Sequence, residues 1–118
     1  MRKVPMLLLT GAAAIMMCQP AFALDHDVVI LHTNDVHCGI EGKIGYAGVA
    51  SYKEQMEEET PYVTLVDAGD AIQGAPVGTL SEGEALIQIM NQVGYDFAIP
   101  GNHEFDYGME RFLSLANQ

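Results

Sequence analysis

YVTLVDAGDAIQG, residues 62–74, changes character halfway along. Tyr62 to Ala68 is an apolar, β-branched run of strand length. The residues after it bring an aspartate, Asp70, between Gly69 and Gly74. Apolar residues that run on without alternating suit a strand covered on both faces, as in a sheet flanked by helices. Two further segments repeat the plan. DVVILHT (27–33) is followed by NDVHCG, and DFAIP (96–100) is followed by GNHEFD.

Helical signals lie between these strands. In AGVASYKEQMEEE (47–59), Val49, Tyr52 and Met56 share one face opposite Lys53, Glu54, Glu57 and Glu58, which reads as an amphipathic surface helix. SEGEALIQIMNQVG (81–94) has Ser81 and Glu84 at capping-box spacing. It places Leu86, Ile87, Met90 and Val93 on one face and stops at Gly94. A third helix is expected from near Asp106, with Met109, Phe112 and Leu113 inward. The order β-α-β-α-β-α predicts an α/β layered fold with mainly parallel neighbouring strands.

In such a sheet the C-terminal strand ends share one edge, where ligands bind. All three polar clusters fall there. Asp35 and His37 are two residues apart, so extended backbone can aim both to one side. Asp67 and Asp70 follow in the second cluster, and Asn102, His103, Glu104 and Asp106 in the third. Taken singly, each has an ordinary reading as a turn, cap or surface residue. Their co-occurrence at three strand ends argues for a divalent metal, because oxygen and imidazole donors without thiolates suit Zn²⁺, Mn²⁺ or Fe.

The chain begins MRKVPMLLLTGAAAIMMCQPAFA, a short basic segment, an apolar stretch and a small-residue Ala21-Phe22-Ala23 ending. This is the plan of a cleavable secretory signal over residues 1–23, and it predicts an exported protein, periplasmic, secreted or at the cell surface. The apolar stretch, interrupted by Pro5, Thr10 and Gly11, is short for a membrane anchor. Cys18 lacks the small neighbours of a lipidated cysteine. Residues 24–118 carry Lys43, Lys53 and Arg111 against 16 acidic residues, a formal charge of −13. That excess argues against a nucleic-acid polymer as partner. With Cys38 the single cysteine left, no intrachain disulfide forms within the mature part.

LHTNDVHCG (31–39), VDAGDAIQG (66–74) and IPGNHEFDYG (99–108) resemble the first three signature blocks of the calcineurin-like metallophosphoesterases. The HTND-x-H and GNHEFD-x-G forms resemble the exported 5′-nucleotidase branch, which includes periplasmic UDP-sugar hydrolases. The match runs from about Val28 to Leu113. The resemblance implies the N-terminal part of a four-layer α/β/β/α sandwich that carries two divalent metal ions (Zn, Mn, Mg, Co or Fe). It implies that Asp35 and His37 bind the first ion, Asp70 bridges both, Asn102 binds the second, and His103 and Asp106 form the catalytic pair.

Chemistry explains these residue types. Two ions roughly 3.5–4 Å apart can activate water and clamp the oxygens of a phosphoester. A carboxylate can serve both ions, whereas an Asn carbonyl binds one without adding negative charge. His103 can stabilise the developing charge or protonate a leaving oxygen, while Asp106 orients its imidazole and favours its charged form. The resemblance assigns Glu104 no ligand position, and Asp67 and Glu104 are read as structural.

The expected activity is metal-dependent hydrolysis of a small nucleotide or nucleotide-sugar substrate, first among them nucleoside 5′-monophosphates. A 2′,3′-cyclic nucleotide phosphodiesterase with 3′-nucleotidase activity, or a UDP-sugar pyrophosphatase, would share the same ligands. A non-catalytic truncated exported module is the alternative of another class. The family's later histidines, an isolated one and a Gly-His-x-His block, have no counterpart before Gln118, and neither His26 nor His32 replaces them. The C-terminal nucleotide-binding domain also has no counterpart, so the 118-residue piece alone is expected to be incomplete and inactive.

Overall fold

The computed structural model of the chain describes residues 27–42 and 44–118. The segment expected to be a signal, residues 1–23 with Cys18, lies outside the described residues, as do His26 and Lys43. The described part alternates strand and helix: β1 (Val29–Thr33), α1 (Gly45–Glu59), β2 (Val63–Asp67), α2 (Pro76–Ser81), α3 (Glu84–Val93), β3 (Phe97–Ala98) and α4 (Met109–Leu115). A single 3₁₀ turn, His103–Phe105, precedes α4.

The strands form a parallel sheet in the order β1-β2-β3. Val29 is opposite Val63 and Thr33 opposite Asp67, while Asp67 is opposite Ala98. Side chains alternate across a strand, so this register puts Leu31, Thr33, Leu65 and Asp67 on one face. Leu65 and Asp67 are buried there, and α1 packs against β2 on the helical side. Ile30, His32, Val66 and Phe97 fall on the opposite face.

That opposite face corrects the expectation of strands covered on both sides. Ile30 is 68% exposed and Phe97 69%. The apolar runs have the composition of doubly covered strands, yet among the described residues the helices supply a layer to one face only.

The core joins Tyr46 of α1, Ile72 of the β2–α2 loop, Leu86 and Met90 of α3, and Leu115 of α4, with Cys38 and Ala71 completing it. Leu65, Ile72 and Leu86 are the largest fully enclosed side chains. Each contributes about 1.5–3 kcal/mol relative to an exposed position. Gly78 in α2 packs so closely on Cys38 that a Cβ there would overlap Sγ.

The helices differ from expectation at their ends. Pro76 sits in the first turn of α2, where its missing N–H costs nothing, and starts a short helix that the sequence reading omitted. Ser81 ends that helix, and no capping box forms with Glu84. Its hydroxyl donates to the Val77 carbonyl and accepts from the Ala85 N–H. Gly83 caps the start of α3 and Gly94 its end, where the Gly94 N–H returns to Met90 and Asn91.

In α1 the buried residue is Tyr46, whereas Tyr52 is half exposed. Lys53 is turned inward, and its ammonium donates to the Gly94 carbonyl, a favourable place for a cation at the end of α3. α4 begins at Met109, after Gly108 at φ 90°. Its inner residues are Phe112 and Leu115, while Met109 and Leu113 are exposed.

Candidate metal and phosphoester site

The loops leaving β1, β2 and β3 meet at the C-terminal edge of the sheet. The β1 loop cannot continue as a strand, because Asp35 (φ 52°), His37 (φ 46°) and Cys38 (φ 60°) are all left-handed. Such backbone costs energy in a residue with a Cβ and persists where surrounding contacts hold it. Here the Asp35 N–H donates to Gly69 O (3.0 Å), His37 to Asp70 O (3.0 Å) and Cys38 to Ala71 O (2.9 Å). The β1 and β2 loops are thus zipped together beyond the end of the sheet.

This zipper gathers the side chains. Ligand atoms of Asp35, His37 and Asp70 lie within 4.8 Å of one another. His37 Nδ1 donates to the Gln73 carbonyl at 3.1 Å. That bond fixes the tautomer and leaves Nε2 with a lone pair, 3.8 Å from Asp35 Oδ1. Asn34 Nδ2 donates to the other Asp35 oxygen at 2.8 Å. Two carboxylates and one oriented imidazole are hard and borderline donors, and they fit a divalent cation.

The third loop closes over Asp70, itself left-handed at φ 59°. The His103 N–H donates to Asp70 Oδ1 at 2.9 Å. A Cβ on Gly101 would overlap the Asp70 carboxylate, so glycine permits this approach. Asn102 follows directly and is exposed at the start of the 3₁₀ turn, on the loop that contacts Asp70. His103 Nδ1 donates to Asp106 Oδ2 at 2.7 Å, and that hydrogen bond raises the imidazole pKa. The His103 ring meets His37 edge-on, with centroids 5.3 Å apart.

Asp35, His37 and Asp70 thus come together from two loops, the His103 N–H ties the third loop to Asp70, and Asn102 and the His103–Asp106 pair lie on that third loop. Asp67 lies beneath them, buried, accepting from the Thr33 hydroxyl and the Gly69 N–H. Burial pushes its carboxyl up, against the pull of those two hydrogen bonds. Tyr95 donates to the same Thr33 hydroxyl at 3.0 Å. The sequence reading missed Thr33 and Tyr95. Glu104 carries more than its loop position suggested, because its carboxylate accepts backbone N–H groups from both the β2 and β3 loops.

A family model described as calcineurin-like phosphoesterase matches residues 28–118. The chain is 38% identical over 125 residues to a 5′-nucleotidase of Mus musculus, covering 94% of this chain and 22% of that protein. It is 36% identical over 122 residues to the snake venom 5′-nucleotidase of Gloydius brevicauda, covering 92% of this chain and 21% of that protein. The chain thus spans about a fifth of the length of these curated relatives. Among solved structures, the NAD nucleotidase of Haemophilus influenzae superposes with a TM-score of 0.68 at 30% identity, covering 76% of this chain and 19% of that one. The calcineurin-like phosphoesterase YfkN of Bacillus subtilis gives 0.62 at 31% identity, covering 75% of this chain and 33% of that one. The sheet and the convergent loops agree with these matches: the chain belongs to the calcineurin-like phosphoesterase family, on the 5′-nucleotidase branch that its signature blocks resemble.

Proposed function

We propose that this chain is the N-terminal part of the catalytic domain of an exported, metal-dependent phosphoester hydrolase that releases phosphate from nucleoside 5′-monophosphates. The observation that carries the reading is the meeting of Asp35, His37 and Asp70 within 4.8 Å, beside the His103–Asp106 pair. The 5′-nucleotidase relatives support the substrate class. Among the described residues no helix is long and apolar enough to cross a membrane. Export rests on the signal-like residues 1–23 and on the venom protein among the relatives.

In this reading Asp35 and His37 would hold one divalent ion, Asp70 would serve both, and Asn102 would serve the second. The bound ions would supply charge neutralisation at the phosphoester and a water-derived nucleophile. The chain's own contribution is orientation and a proton. The Gln73 carbonyl presents His37 through Nε2, and the His103 N–H holds Asp70. His103 donates a proton to the leaving oxygen from Nε2, since Nδ1 is engaged by Asp106.

The test is hydrolysis by the full-length protein of AMP, followed as phosphate release, of a 2′,3′-cyclic nucleotide, followed as ring opening to the nucleoside monophosphate, and of UDP-glucose, followed as UMP formation, before and after EDTA and dialysis. Release from AMP that is lost with chelation and regained with Mn²⁺ or Zn²⁺ supports the reading. Preference for either other substrate moves the specificity to that alternative. Activity undiminished by complete metal removal contradicts the mechanism.

A further inference from the structure

Glu104 is almost fully buried, at 8% exposure, near enough to Asp67 to raise its pKa and bonded to the backbone of Asp70. A buried carboxylate beside like charges is a costly way to fill space. Its hydrogen bonds show what the position supplies. Oε2 accepts the N–H of Asp70 at 2.8 Å and of Gly101 at 2.6 Å. Oε1 accepts from Ala71 at 2.8 Å and more weakly from Ile72 at 3.4 Å. One side chain thereby gathers donors from two loops about thirty residues apart, and a single oxygen joins the backbone of Asp70 to that of Gly101, next to Asn102.

We infer that Glu104 is a positioning residue that sets the spacing between Asp70 and Asn102, and with it the affinity for the second metal ion. The inference rests on the two-ion reading above. Asp35 and His37 lie on the β1 loop, which reaches the β2 loop through its own backbone zipper and makes no hydrogen bond to Glu104. Asp35 and His37 therefore keep their places when Glu104 changes, while Asp70, which both sites share, keeps its backbone bond to the β1 loop through the His37 N–H. The second site depends on the β2 and β3 loops staying together, which they do through Glu104 and the His103 N–H on Asp70. A glutamine has one acceptor oxygen, so its amide nitrogen would face at least one pair of N–H donors.

The experiment titrates the metal-free full-length protein with Mn²⁺, following stoichiometry by calorimetry and ion–ion coupling by electron paramagnetic resonance. Glu104→Gln is expected to stay folded, to bind the first ion within about threefold of wild type, and to bind the second about 10- to 100-fold more weakly. Its exchange-coupled signal disappears at Mn²⁺ concentrations where wild type shows it. Glu104→Asp keeps the anion and restores part of the second-ion affinity. If Glu104→Gln does not fold, Glu104→Asp is measured in its place and must weaken the second ion more than the first.

Equal weakening of both ions, or a second-ion affinity in Glu104→Gln equal to wild type, overturns the inference. A wild-type stoichiometry of one Mn²⁺ overturns the two-ion reading and this inference with it. Two ions in both proteins at equal affinity overturn this inference alone.

Discussion

His103 Nδ1 lies 2.7 Å from Asp106 Oδ2, and this hydrogen bond is the largest cause of the imidazole's raised pKa. The pair spans one turn, from the start of the 3₁₀ element to the residue after it. Asp106→Asn removes the negative partner and is expected to lower the His103 pKa. Below that value the ring is protonated in both proteins. The difference appears as pH rises, when the variant gives up its proton first. Imidazole proton shifts in the metal-free protein, followed by NMR through the titration, measure this. An unchanged midpoint would show that Asp106 does not hold the ring in solution.

His103→Ala removes the proposed proton donor while leaving Asp35, His37 and Asp70 in place. Turnover of AMP by the full-length enzyme is expected to fall by about 10²- to 10⁴-fold. Metal content, measured by atomic emission after gel filtration, is expected to change little. Wild-type turnover would remove His103 from the mechanism.

Gly101→Ala puts a methyl group where the Asp70 carboxylate lies. Either the β3 loop lifts or the carboxylate turns away. Metal affinity is expected to drop by about 10-fold or more, with the larger loss in the ion that Asp70 shares with Asn102. Retained Mn²⁺ affinity would mean that the two loops separate more easily than their packing implies.

Asp67 gives a test of stability against pH. Burial raises its carboxyl above the ordinary value of 3.8, so the native state keeps this proton at pH values where the unfolded chain has released it. The stabilisation is complete below the unfolded value and is lost as pH rises through the native one. Asp67→Asn, which stays neutral, is expected to flatten this part of the curve and to be at least as stable as wild type at neutral pH. Paired melting temperatures of the metal-free proteins across the acid range measure the difference. A steeper fall in the variant would contradict the assignment.

Periodicity located the strands well, because a run such as Val63 to Asp67 is apolar, β-branched and bounded by turn residues. It also brought Asp35, His37, Asp70, Asn102, His103 and Asp106 to one edge, since a parallel sheet puts all its strand ends there. Residues whose work depends on distant partners were not legible. Glu104 sits between His103 and Phe105 in a polar loop, and nothing local shows that its donors lie at residues 70–72. The left-handed backbone of Asp35, His37 and Cys38 was equally hidden, because none is a glycine and the zipper that holds them comes from another segment. Between α2 and α3, Ser81 and Glu84 matched a capping box, but a helix started by Pro76 claimed the serine first.

The placement of Cys38 gives the loop cluster its own chemical reporter. The thiol follows His37 directly, is 5% exposed and lies under Gly78. A maleimide reaches it only when the β1 loop parts from Ala71 and the left-handed turn unwinds. Alkylation of this sulfur should therefore track the opening of the loop that carries Asp35 and His37, and should slow as Mn²⁺ occupies the site.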